Sequence, residues 1–163
     1  MGVAGSGKTA VAQVMAKRWG DVFIEADDLH SASNVHKLSS GIPLDDHDRI
    51  PWLRAVGERI RSESSEDHRT VTSCSALKRA YRDVLREYAP TAFFVELDVP
   101  IDVARVRVTS RRHSFMSPSL LESQYATLEP LHPDERGVRV DATDTLDGIV
   151  DVVERALAQE SLS

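Results

Sequence analysis

A phosphate-binding loop opens the sequence and constrains the fold more than any other feature. Residues 2–9 read Gly-Val-Ala-Gly-Ser-Gly-Lys-Thr and match the pattern G-x-x-x-x-G-K-[ST] at every fixed position. Glycines allow backbone conformations that direct successive N–H groups toward phosphate oxygens, and a helix beginning after Gly7 would add the positive end of its dipole. Lys8 can reach the β- and γ-phosphates of ATP, and the hydroxyl of Thr9 can bind Mg²⁺.

The motif therefore predicts a nucleotide site that uses ATP and Mg²⁺. Residues 10–18, which follow it, read as an amphipathic helix, and this is the context that such a loop requires. A chance glycine-rich loop is the alternative. Thr9 is the predicted metal ligand. The predicted nucleotide contacts are Gly2, Ala4, Gly5, Ser6, Gly7, Lys8, Thr9 and Ala10.

Short β-rich runs alternate with amphipathic helices along the chain, which is typical of an α/β fold with a parallel sheet covered by helices on both faces. The predicted strands are Val22–Ala26, Thr70–Ser73, Ala92–Leu97 and Val138–Asp141. Helices are predicted after Gly7, Ile50, Leu77, Pro100, Pro118 and Asp144. We predict an adenylate-kinase-like P-loop NTPase fold, with a sheet of four or five strands.

The N-terminal side of the phosphate loop departs from this fold. In P-loop proteins the loop follows a buried central strand, whereas only Met1 precedes Gly2 in this sequence. We therefore predict that the first strand is missing or truncated, or that something else fills its place. A missing central strand would leave ladder hydrogen bonds unmade and a hole in the core.

Length and composition bound the class of protein. A chain of 163 residues is of ordinary size for one domain, and we interpret residues 1–163 as a single kinase domain. The formal charge of −6, without a basic stripe, argues against nucleic acid as a partner. No apolar run has the length of a membrane span. The single cysteine, Cys74, fits a reducing cytosol, so we predict a cytoplasmic protein.

Acidic residues follow the first predicted strand, in the segment Phe23–His30. A carboxylate at the carboxyl end of a strand lies at the mouth of an open α/β sheet, where ligands bind. Asp27 could accept the proton of an attacking hydroxyl, and Glu25 could support the hydration shell of a metal ion. From the residues alone, the alternative that these acids only cap the next helix stays open.

Several further blocks resemble the thermoresistant gluconokinase family and cover nearly the whole chain in that family's order. The blocks are Asp27-x-Leu29-His30, Asn34-x-x-Lys37, Gly41-x-Pro43-Leu44-x-Asp46-x-Asp48-Arg49-x-Pro51-Trp52-Leu53, Cys74-Ser75-Ala76-Leu77-Lys78-Arg79-x-Tyr81-Arg82-Asp83-x-Leu85-Arg86 and Ser123-Gln124-Tyr125-x-Thr127-Leu128-Glu129. The resemblance implies transfer of the γ-phosphoryl group of ATP to the C6 hydroxyl of D-gluconate, which gives 6-phospho-D-gluconate and ADP.

The resemblance also implies an acceptor site. Asp27 would be its catalytic carboxylate. The pocket for the sugar acid would be lined by His30, Lys37, Arg49 and Arg82. Arginine can form a two-pronged bond to a carboxylate, so the two arginines suit the acid group of gluconate. Arg49 and Arg82 could instead lie on helix surfaces, and His30 could be a hydrogen-bonded core residue. Gln124 could bind a substrate hydroxyl or lie on a helix surface.

An arginine-rich segment is the predicted lid, at about residues 109–120. It follows Arg105 and Arg107 and contains Arg111 and Arg112. In small-molecule kinases an arginine-bearing lid closes over ATP and stabilises the transferred phosphoryl group. The resemblance assigns Arg111 to nucleotide binding and catalysis; a solvated basic helix end is the alternative. The family commonly has a lid histidine where this chain has Ser114 after His113, and a shorter acid where it has Glu25.

Two other readings of the sequence stay open. A shikimate-type or other sugar-acid kinase would share the architecture and bind a carboxylated polyol. A nucleotide-binding regulator without catalytic activity would keep the phosphate loop, and the short N-terminus favours it. The predicted partner is a small molecule, gluconate, and related kinases often form homodimers.

Overall fold

A computed structural model describes residues 1–65, 68–110 and 117–160 of the chain. Its strands are β1 (Val22–Glu25), β2 (Thr70–Ser73), β3 (Phe94–Asp98) and β4 (Gly137–Asp141). Its α-helices are α1 (Lys8–Trp19), α2 (Ala32–Ser39), α3 (Asp46–Glu63), α4 (Arg79–Tyr88), α5 (Ile101–Thr109), α6 (Pro118–Thr127) and α7 (Leu146–Glu160). A short 3-10 turn, Ala26–Leu29, follows β1. The four predicted strands are therefore confirmed, with shifts of one or two residues at their ends.

One helix begins earlier than predicted, and one further helix was not predicted. The helix expected after Ile50 begins at Asp46, because the side chains of Asp45 and Asp48 each accept a hydrogen bond from the other residue's backbone N–H. This capping box satisfies donors that the first turn leaves unpaired. Helix α2 was not predicted; it begins after Ser31, whose hydroxyl accepts the N–H of Asn34 at 3.2 Å.

The helices form two packed groups beside the strands. Helix α1 packs on β2 and α7, and α7 packs on β4. Helices α3 and α4 pack on each other, and α3 also contacts β1 and β2. The indole N–H of Trp52 donates to the carbonyl of Ala26 at 2.8 Å, which ties α3 to the turn after β1. No helix among the described residues is long and apolar enough to cross a membrane.

The described strands form two separate parallel pairs, β1 with β2 and β3 with β4. Met1 and Gly2 bridge the pairs: the carbonyl of Met1 accepts the N–H of Leu97 at 3.0 Å, and Gly2 donates to the carbonyl of Ser75 at 3.1 Å. Beyond Met1 the pairs are separated by a cavity of about 750 Å³. Its lining includes Val71 of β2 and Val95 of β3. The described residues place no strand between β2 and β3.

The amino group of Met1 is buried at the end of this cavity and donates to the carbonyl of Val95. The pKa of this amino group is lowered from 8.0 to about 5, mainly by burial and to a smaller extent by the nearby charge of Lys8. Because the unfolded chain then binds more protons, this group makes the protein less stable as the pH falls from 8 toward 5. The Met1 nitrogen occupies the position that a strand amide would take.

An apolar extension ahead of Met1 should therefore stabilise the fold. Five added residues, Val-Ile-Val-Ile-Val, would continue the Met1 hydrogen bonds along β2 and β3 and replace the buried amine by an amide. We expect a net gain of roughly 2 kcal/mol, because apolar burial exceeds the lost chain entropy. Urea unfolding measures the gain, and a Gly/Ser extension of equal length is the control. Equal stability of the two extended proteins would show that the cavity does not accept a strand.

Candidate active site

The phosphate loop folds as its motif predicts, directly before α1. Gly5 has a positive φ of 76°, and a Cβ atom there would lie 2.7 Å from the carbonyl oxygen of Ala104 in α5. Glycine is thus required both by the backbone angle and by the close approach of α5. Helix α1 begins at Lys8, whose ammonium donates to the carbonyl of Val3 at 2.9 Å. The loop therefore lies at a helix N-terminus, where backbone N–H groups bind anions.

Oxygen atoms from three elements meet beside the loop. The hydroxyl of Thr9 donates to a carboxylate oxygen of Glu25 at 2.7 Å and lies 3.4 Å from the hydroxyl of Ser73. Glu25 ends β1 and Ser73 ends β2, so the parallel register of these strands brings both side chains to the loop. Hydroxyl and carboxylate oxygens suit a hard cation such as Mg²⁺. The described residues contain no group of three or more His, Cys, Asp or Glu side chains that could form a dedicated metal site.

Asp27 and His30 face each other after β1. The side chain of Asp27 is 73% exposed, and a carboxylate oxygen lies 3.8 Å from Nε2 of His30. The imidazole stacks on the indole of Trp52 at 4.2 Å between ring centroids, and its Nδ1 lies 3.4 Å from the amide of Asn34. Burial lowers the pKa of His30, against the opposing effect of Asp27. The arrangement keeps an exposed carboxylate beside a rigidly held imidazole.

Arg49 lies in the same region with its side chain buried. Only 7% of the residue is exposed, and its Nε donates to the carbonyl of Leu44 at 3.1 Å. Its guanidinium carbon lies 5.8 Å from the ring centroid of Tyr81. Within residues 1–65, 68–110 and 117–160, no acceptor bonds to the two terminal nitrogens of Arg49. These nitrogens form a two-pronged donor suited to a carboxylate.

A polar cluster that was not predicted as part of the site lies around Tyr81. The hydroxyl of Tyr81 donates to the carboxylate of Asp46, which also accepts from Lys78 at 2.9 Å. These two hydrogen bonds lower the pKa of Asp46, and the bond from Tyr81 has the larger effect. All three residues occur in the sequence blocks described above, so the blocks were the available signal for them. The cluster joins the first turn of α3 to the start of α4.

Lys37 is ion-paired in this conformation. Its ammonium donates to both carboxylate oxygens of Asp48, at 2.6 and 2.8 Å, and this pair lowers the pKa of Asp48. The contact ties α2 to the first turn of α3. Lys37 thus lies near the predicted site, but its positive charge is already paired with Asp48. A substrate bound by Lys37 would have to share the ammonium group with that carboxylate.

The structure corrects the predicted role of Arg82. All five N–H groups of its guanidinium are used: two bond to the carboxylate oxygens of Glu135, each at 2.7 Å, and three to backbone carbonyls of Ala76, Glu129 and Pro130. The residue is 0% exposed. Arg82 therefore has no donor left for a sugar acid, and it joins α4 to the segment between α6 and β4.

Gln124 contacts the phosphate loop, where a substrate contact or a helix surface was expected. Its carboxamide oxygen accepts the N–H of Ala4 at 2.6 Å. Arg107, which was not assigned a role from the sequence, donates to the carbonyls of Gly5 at 3.3 Å and Ala142 at 2.9 Å. It thus links the loop to the segment after β4. Arg111 lies outside the described residues, as do Arg112, His113 and Ser114, so the predicted lid stays a prediction.

A phosphate loop at the N-terminus of α1, parallel strands and polar side chains at their carboxyl ends define a P-loop kinase that acts on small molecules. In agreement, the family model for adenylylsulphate kinase matches residues 1–112. The adenylylsulphate kinase of Mycobacterium tuberculosis superposes with a TM-score of 0.67, 97% of this chain and 94% of that chain being covered, at 18% identity, and so shows the fold alone.

Closer relatives identify the family within this class. The gluconokinase of Gluconobacter oxydans is 45% identical, over 86% of this chain and 79% of that protein. The thermoresistant gluconokinase of Escherichia coli is 39% identical, over 92% of this chain and 86% of that protein. A crystal structure of a gluconokinase from Sinorhizobium meliloti has a TM-score of 0.87 and 46% identity, with 99% of this chain and 92% of that chain covered. The chain belongs to the gluconokinase family.

Proposed function

We propose that this protein transfers the γ-phosphoryl group of ATP to the C6 hydroxyl of D-gluconate, giving 6-phospho-D-gluconate and ADP. The observation that carries the proposal is the buried Arg49, whose two terminal nitrogens are unbonded among the described residues and which lies near His30, as does the exposed carboxylate of Asp27. The gluconokinase names of its relatives support the choice of acceptor.

The phosphate loop would bind the nucleotide. Lys8 would keep its hydrogen bond to the carbonyl of Val3 and contact the β- and γ-phosphates through other ammonium protons, and loop N–H groups would bind phosphate oxygens. Thr9 and Glu25 would hold Mg²⁺, their oxygen atoms being suited to a hard cation. When bound, Mg²⁺ would neutralise charge on the β- and γ-phosphate oxygens. Arg111, by resemblance to the family, would add a second cation from the lid.

The acceptor site would orient gluconate. Arg49 would bind its carboxylate through the two terminal nitrogens, so that the opposite end of the sugar acid reaches the γ-phosphate. The C6 oxygen would attack the γ-phosphorus as the bond to the β-γ bridging oxygen breaks, and Asp27 would accept the hydroxyl proton. His30, stacked on Trp52, would line the pocket beside Asp27, with Lys37 and Asp48 at its edge.

The direct test is ADP release from purified protein with MgATP. Gluconate, shikimate, other sugar acids, adenylyl sulfate and no acceptor are compared. A gluconate-selective rate that collapses in Lys8→Ala supports the proposal. A rate with another acid alone would keep the mechanism and replace the substrate. A folded protein that binds ATP and releases ADP with none of the acceptors would instead be a nucleotide-binding regulator.

Removing the Arg49 guanidinium should weaken gluconate binding specifically. In Arg49→Met we expect KM for gluconate to rise by about 10- to 100-fold, because one charge-assisted bond pair is lost, while KM for ATP changes little. Steady-state kinetics with each substrate varied in turn measures this. Arg54→Met, an exposed arginine on the same helix, is the matched control and should behave as wild type. Equal rises in both variants would refute the role of Arg49.

A further inference from the structure

The peptide group between Val3 and Ala4 is hydrogen-bonded at both ends to side chains. Its N–H, on Ala4, donates to the carboxamide oxygen of Gln124 at 2.6 Å. Its carbonyl, on Val3, accepts the ammonium of Lys8 at 2.9 Å and, less closely, the N–H of Ser6 at 3.3 Å. One rigid peptide plane therefore connects Gln124 to Lys8. Hydrogen bonds at opposite ends of an amide polarise and strengthen each other.

Packing and hydrogen bonds set the orientation of this peptide, since Val3 is buried and the flanking glycines have little backbone preference of their own. Gly2 and Gly5 flank it, with φ values of 138° and 76°, and glycine has no Cβ to restrict rotation. Gln124, in contrast, is presented by a helix that is well anchored. Helix α6 is capped by Ser117, and the neighbouring Tyr125 donates to the carbonyl of Val99 at 2.7 Å.

We propose that Gln124 is a positioning residue for Lys8. Its carboxamide oxygen holds the Val3–Ala4 peptide so that the Val3 carbonyl points at the Lys8 ammonium and keeps that side chain in place before the nucleotide binds. A preorganised lysine loses less conformational freedom when it meets the β- and γ-phosphates. Gln124 thereby acts on the nucleotide, although it lies 120 residues from Ala4 in the chain. The inference rests on the proposed use of ATP but not on gluconate as acceptor.

The test is a double-mutant cycle read by ATP binding without acceptor. Gln124→Met keeps the length of the side chain and removes its oxygen acceptor, so we expect the Kd for ATP to rise about tenfold. In a Lys8→Met background the same change should have an effect of less than about twofold, because Gln124 acts through Lys8. Glu122→Gln, an exposed position on α6, is the matched control.

Each result decides between distinct possibilities. A wild-type Kd in Gln124→Met, a rise confined to KM for gluconate, or a tenfold effect that persists without Lys8 would overturn the inference. A wild-type protein that binds no ATP would instead contradict the proposed function.

A second variant keeps the test open if Gln124→Met does not fold. Gln124→Glu retains the acceptor oxygen and introduces a titrating carboxyl. In ¹⁵N spectra, both the Ala4 amide and the Lys8 ammonium signals should shift as that carboxyl titrates. A response of Ala4 without one of Lys8 would also overturn the inference.

Discussion

Asp27→Asn is expected to lower kcat by about 10²- to 10⁴-fold, which is the usual contribution of a positioned general base. The amide keeps the size of the side chain but cannot accept the proton of the C6 hydroxyl. Because the role proposed for Asp27 is toward the acceptor and not toward the nucleotide, KM for ATP should change little. Initial rates of ADP release at saturating ATP and gluconate measure the change.

The neighbouring acid supplies a matched control for this substitution. Asp28 is exposed in the same 3-10 turn, so Asp28→Asn removes an equal charge at nearly the same place. We expect it to retain nearly wild-type kcat. If both variants, or neither, lose activity, Asp27 has no specific role as base and acts through local charge or through the structure of the turn.

Arg82→Met should destabilise the protein by about 3–5 kcal/mol, the usual effect of breaking a buried ion pair by removing one partner. The side chains of Arg82 and Glu135 are each 1% exposed, and the substitution leaves the Glu135 carboxylate buried with Arg86 and the N–H of His132 as its remaining partners. Arg82 also holds three backbone carbonyls that would become unpaired. Urea unfolding at neutral pH measures the loss.

The pH dependence of this loss follows from Glu135. The hydrogen bond from Arg82 is the main cause that lowers the pKa of Glu135 from 4.5 to about 2. The stability from this carboxylate is therefore complete above pH 4.5 and disappears as the pH falls toward 2. The difference in free energy of unfolding between wild type and Arg82→Met should shrink over the same range.

Arg86→Met is the control, because Arg86 contacts the same carboxylate but its side chain is 22% exposed. We expect a smaller loss of stability from this variant. A stable Arg82→Met protein with a raised KM for gluconate would show instead that Arg82 binds the sugar acid, as the resemblance to the family suggested.

Local patterns accounted for most of the secondary structure and for the phosphate loop. Strand β2 was predicted at its observed bounds, and α1 begins where the loop motif requires. Helix α2 was missed because it is only 8 residues long and its start depends on a cap by Ser31. The start of α3 was predicted too late because proline is typical of the first turn of a helix, whereas Pro51 lies inside this helix and the capping box is at Asp45.

The sequence by itself determined the class of site. The phosphate loop is contiguous, so its residue types alone specify which atoms face a phosphate, and the sequence blocks predict that Asp27 and Arg49 belong to the acceptor site.

Only the tertiary structure decided which arginine is available to a ligand and what Gln124 contacts. Arg82 and Arg49 have the same chemistry. The guanidinium of Arg82 is bonded to Glu135, 53 residues further on, whereas the terminal nitrogens of Arg49 have no acceptor among the described residues. The partner of Gln124 is 120 residues away. Hydrogen bonds at such separations depend on how the helices pack, which no local pattern of residues encodes.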